Sequence, residues 1–181
     1  MSTSKGSAKL YVIGVICILA VLTAAFIVLD FYSPQETPGT PARESVIPSA
    51  AVKMTPKADL YPPILHSDEW SQPVPLADAV NTAGGEDSPF ILPDGDTLYF
   101  FFTPNVTVPA EKQILDGVTG IYVSTKQNGS WSIAERVILQ DAGKLALDGA
   151  EFIQGDSMWF ASAREGYTGV NLFTAEFKDG K

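Results

Sequence analysis

Three patterns of apolar and polar positions divide this chain of 181 residues. Residues 10–29 run without a charge and almost without a polar side chain. As a helix, such a run rises about 30 Å, the thickness of a bilayer core, and predicts a transmembrane span. Residues 33–63 have no period and hold seven of the 13 prolines. Proline removes backbone donors and keeps the chain extended, so this stretch predicts a semi-rigid, largely unstructured stalk. From about residue 64 onward, short aromatic and β-branched runs alternate with Gly, Asn and Asp turn signals, and no helical spacing recurs.

The last part therefore predicts an all-β fold. Residues 96–103 and 120–126 read as strands, and Asn128-Gly129 reads as a tight hairpin turn, which needs positive φ. Residues 131–139 would return from that turn, and further strands are expected at 150–153, 157–161 and 170–175. Asp179-Gly180 reads as another hairpin turn.

The flanks of the apolar run orient it. Lys5 and Lys9 precede it, while Asp30 and Glu36 follow. The positive flank stays cytoplasmic. The expectation is a cytoplasmic segment at 1–9, a transmembrane helix at 10–29, a proline-rich linker at 30–63 and an extracytoplasmic domain at 64–181. The small residues Thr23, Ala24 and Ala25 sit inside the run, not at its end. That favours an uncleaved signal anchor over a cleaved signal, whose apolar region would span roughly 7–15 residues.

Charge and rare residues narrow the chemistry. The formal net charge is −9, and from Phe31 onward twenty acidic side chains face ten basic ones. Such a surface repels nucleic acid. Cys17, the single cysteine, lies within the apolar run, so the outer part can form no disulfide. His66 is the single histidine, which excludes a His/Cys zinc site. No cofactor is implied.

One unit occurs twice. Trp70-Ser71 recurs as Trp131-Ser132, and Leu98-Tyr99-Phe100 as Met158-Trp159-Phe160, 60 residues on. Ile121-Tyr122 recurs as Leu172-Phe173, 51 residues on, the difference being a long loop from Pro104 to Thr119. In the same comparison Asp87 matches Asp148. Two units, at about 70–130 and 131–181, carry a period typical of β-propeller blades. About two blades leave an incomplete ring with open strand edges, so the reading expects the start of a longer propeller, or a short chain that self-associates through those edges.

These residues resemble the TolB-type, WD40-like propeller repeat of bacterial and archaeal envelope proteins. The likeness rests on Ser88-Pro89 followed by Pro93-Asp94-Gly95 before the aromatic strand, and on Ser162-Ala163-Arg164 followed by Gly166 in a glycine-rich loop. Gln154-Gly155-Asp156 stands where the second unit would have Pro-Asp-Gly. The resemblance implies a propeller that serves as a binding or scaffolding module for a protein or glycan.

The alternative is an enzyme. Carboxylates are the only abundant catalytic groups, and Asp87 with Asp148 is the candidate pair for a glycoside hydrolase. Asp94 and Asp96 read as turn residues; a calcium site is the sharper reading, although two carboxylates fall short of its usual oxygens. Asn105 and Asn128 lie in glycosylation sequons, Asn128 also being the hairpin-turn residue.

Overall fold

The computed structural model describes residues 41–178. The expected membrane helix at 10–29 and the Asp179-Gly180 turn lie outside the described residues. Among the described residues, no helix is long and apolar enough to cross a membrane.

The fold is all-β. Its strands are β1 (Gly85–Ile91), β2 (Thr97–Thr103), β3 (Gly120–Gln127), β4 (Ser130–Trp131), β5 (Glu135–Arg136), β6 (Ala146–Gln154), β7 (Ser157–Arg164) and β8 (Val170–Glu176). One short helix, α1 (Ala110–Gln113), interrupts the long loop after β2. The strands form two sheets, ordered β1-β2-β3-β4 with β5 also on β3, and β6-β7-β8. Every pairing is antiparallel.

The turns follow their residues. Asn128 and Gly129 take φ of 51° and 82°, the left-handed pair that a tight hairpin turn requires. Gly155, at φ 58°, turns β6 into β7 without the proline of the first unit. The expected strand at 131–139 is split into β4 and β5. The reason is local competition: Ser124 Oγ donates to the Ser132 carbonyl at 2.7 Å, and the Thr125 N–H donates to Ser132 Oγ at 3.1 Å. Side-chain bonds of this kind displace ladder bonds.

Alternation along β2 builds two faces. Leu98, Phe100 and Phe102, with Tyr122 of β3, form one buried cluster together with Val80, Val118 and Ala134. Tyr99 and Ile121 point the other way and share a second cluster with Met158 and Phe160 of β7. Met158 and Phe160 are the repeat counterparts of Leu98 and Phe100. The same face of each unit therefore packs inward. In the second unit it lies on the preceding sheet; in the first it lies under the segment that contains Val46 and Ile47.

That segment belongs to the range expected to be an unstructured linker, 30–63. Arg43–Val46 forms a 3-10 turn, and Val46 and Ile47 pack on the first cluster. Apolar contact and a buried arginine draw these residues in despite the prolines around them. Trp70, the expected start of the first unit, is 75% exposed in coil, whereas its match Trp131 lies in β4.

Candidate functional site

Bulges set the true repeat register on the first strand of each sheet. β1 shifts between Asp87 and Phe90, and β6 shifts between Gly149 and Phe152. Each bulge places two residues opposite one, and its first residue, Ser88 or Ala150, takes φ near 51–52°. Glu86 pairs with Phe102, as Asp148 pairs with Ser162; Asp87 pairs with Phe101, as Gly149 pairs with Ala161. Asp148 thus corresponds to Glu86, not to Asp87. The expected equivalence of Asp87 and Asp148 is off by one residue, which on a strand exchanges the faces.

The corrected register brings out a shared device. In the second sheet, Asp148 Oδ1 accepts from Ser162 Oγ at 2.5 Å and from Arg164 Nη2 at 2.8 Å, and Arg164 Nε donates to Ser162 Oγ at 2.9 Å. The Arg164 guanidinium lies 5.3 Å from the Phe160 ring centre and 4.5 Å from that of Phe173. In the first sheet, the position of Arg164 is held by Pro104. Arg43 supplies the guanidinium instead, 5.1–5.7 Å from the ring centres of Phe100, Phe102 and Tyr122. It donates to the carbonyls of Val80 and Ala79, each at 2.9 Å, and lies 4.0 Å from Glu86. Each repeat therefore seats one arginine on its inward aromatic face beside an acid from its first strand. Burial raises the Tyr122 hydroxyl to about 12, despite the nearby Arg136 and Arg43 charges.

The motif residues of the resemblance are turn and clasp residues. Asp94 Oδ1 accepts the N–H groups of Asp96 at 2.8 Å and Thr97 at 3.0 Å, and Oδ2 accepts Thr97 Oγ1 at 2.8 Å. The Asp96 N–H and Thr97 hydroxyl hold the Asp94 carboxyl below its ordinary range. With both oxygens engaged inside the turn, Asp94 and Asp96 gain no support as a calcium site. Pro93 precedes the turn, and Gly95 has a φ of 74°. Gly166, at φ 90°, follows Arg164 in the β7–β8 loop. Asn105 accepts the Thr107 N–H and hydroxyl at 3.0 and 2.7 Å, and Asn128 is exposed in its hairpin turn.

The carboxylates do not form the expected catalytic pair. Asp148 is 3% exposed and tied to Arg164 and Ser162, while Asp87 is exposed and accepts the Ser88 N–H at 2.7 Å. The carboxylate of interest is Glu151, in the β6 bulge. It is 5% exposed, and neither of its oxygens has a hydrogen-bond partner. Burial, with the Asp87 charge adding to it, pushes its carboxyl up to about 7; the Glu151 backbone N–H, close by but outside hydrogen-bond geometry, offsets part of this. Sequence reading counts Glu151 among the acids but has no signal for its isolation, which depends on the bulge.

The outward face of the second sheet is open. Trp159 is 40% exposed, Leu172 85% and Val170 71%. Their pairings place Trp159 opposite Thr174, Leu172 opposite Ala161 and Val170 opposite Ala163. The repeat counterparts of Trp159 and Leu172 in the first sheet are Tyr99 and Ile121, which are 7% and 0% exposed beneath the second sheet. No family model, curated protein or solved structure matches the chain.

Proposed function

We propose that this chain is a membrane-tethered, extracytoplasmic scaffold of β-propeller-type repeats whose open sheet face docks a protein partner. One observation carries the reading. The face bearing Trp159 and Leu172 is exposed in the second sheet, while the same face of the first sheet is fully covered by the next repeat. The partner that fits is a further β-sheet presenting an inward face like that of Phe100 and Phe160, with their arginine. Burying a side chain such as Leu172 contributes about 1.5–3 kcal/mol. Val170 and Leu172 offer no hydrogen bonds, which favours a protein surface over a glycan. Residues 10–29, with Lys5 and Lys9 before them, support the tether, and the acidic composition that follows supports the outer location. The turn at Pro93-Asp94-Gly95 and the Ser162-Arg164 pair support the TolB-type repeat. A further repeat of the same protein and a separate subunit are both occupants of this one chemical class.

Photo-crosslinking tests the reading. A photoreactive phenylalanine analogue at Leu172, in the full chain in its own cells, should give one dominant peptide adduct, located on a β-strand. The same analogue at exposed Lys178 serves as the control. Equal, diffuse labelling from both positions counts against a docking face.

A further inference from the structure

The first strands of the two sheets meet at their bulges. Phe90 and Phe152 pack edge to face with ring centres 5.2 Å apart. Asp87 pairs with Phe101, and a Cβ added at Gly149 would lie 2.8 Å from the Phe101 ring. Glu151 follows two residues later with both oxygens buried and unpartnered. The junction between repeats thus holds two neighbouring acids, one of them nine-tenths buried and without a donor.

Three things resolve such an arrangement: a proton, a protein donor or a cation. The described residues supply no donor to Glu151. A proton removes the charge but creates an O–H that itself needs an acceptor, and neither oxygen has one in reach. A hard cation neutralises both acids and engages both orphaned oxygens.

We propose that Asp87 and Glu151 form a divalent-cation site of the calcium class at the junction of the two sheets. The ion would pin the first strand of one repeat to that of the next. Among the described residues, no third acidic, histidine or cysteine side chain completes a ligand group. Water and backbone carbonyls that the bulges leave outside the ladder must supply the remaining oxygens. Two carboxylates and a partly hydrated ion place the affinity in the weak range of extracellular modules, about 10⁻⁴–10⁻³ M.

The test uses the full chain in detergent, stripped of metal with a chelator and titrated with calcium chloride by calorimetry and thermal unfolding. One saturable event in that range is expected, with a raised melting temperature. Glu151→Gln and Asp87→Asn should each weaken binding by about tenfold or more, since a lost direct ligand costs at least what a lost supporting group does. Glutamine reproduces the neutral acid, and Asp87 is exposed, so both variants should keep the fold. No saturable binding by the unmodified chain overturns the proposal. So does binding that both substitutions leave unchanged, which would put the ion on surface acids.

Discussion

Arg43→Ala is the perturbation whose cost is best defined by the structure. The side chain is 2% exposed and donates to two carbonyls at 2.9 Å, Val80 and Ala79. It also lies on three aromatic rings and 4.0 Å from Glu86. Hydrogen bonds to a charged group contribute about 1.5–3 kcal/mol each. A cation over a ring adds about 0.5–1 kcal/mol. One guanidinium makes all these contacts, so they do not add, and truncation also strands the buried carbonyls and Glu86. Removing one partner of a buried charge network costs about 3–5 kcal/mol, and that loss is expected here. Urea unfolding of the full chain, followed by tryptophan fluorescence, measures it. Arg43→Lys keeps the charge without the planar fork and should fall between the two. A loss for Arg43→Ala below about 1 kcal/mol, the scale of surface substitutions, would refute the clasp and return residues 43–47 to the stalk.

Two further outcomes follow from the junction of the sheets. The Glu151 carboxyl is raised in the folded state to about 7 from an ordinary 4.5. In metal-free buffer, stability should therefore be highest below the lower value and fall by about 2–3 kcal/mol as pH rises through that window, where the unfolded chain releases the proton first. Glu151→Gln should flatten that fall, as read by denaturant unfolding at a series of pH values; a parallel decline in both proteins counts against a buried neutral acid. Gly149→Ala would place a methyl 2.8 Å from the Phe101 ring, so a loss of about 1–3 kcal/mol from overpacking is expected in the same assay. An unchanged midpoint would mean that the sheets are not in this contact.

Local patterns were legible and long-range ones were not. The aromatic alternation of β2 and the Asn128-Gly129 turn identify themselves, because each depends on neighbours in sequence. The repeat is visible for the same reason, since Leu98-Tyr99-Phe100 and Met158-Trp159-Phe160 carry the same strand chemistry. The acid register is not. Asp87 and Asp148 share a residue type, and the bulge that moves the match to Glu86 leaves no mark except positive φ at Ser88 and Ala150, neither a glycine. Arg43 was hidden for a different reason. It sits among prolines, 37 residues before its nearest carbonyl partner in the chain order of Arg43 and Val80. Only the repeat comparison explains it: Pro104 stands where the second unit has Arg164, and a distant residue supplies the missing charge. Asp94, by contrast, acts as its sequence suggests, because an aspartate beside a turn glycine needs only the next few N–H groups.

The claim that the second sheet offers a docking face is tested most directly by hydroxyl-radical footprinting. Labelling of Trp159 and Leu172 would be compared between native membranes and the purified chain. Trp70, 75% exposed and away from that face, provides the internal reference. The account expects Trp159 and Leu172 to be strongly protected in the membrane while Trp70 labels equally in both samples. Equal labelling of all three in both samples would contradict it.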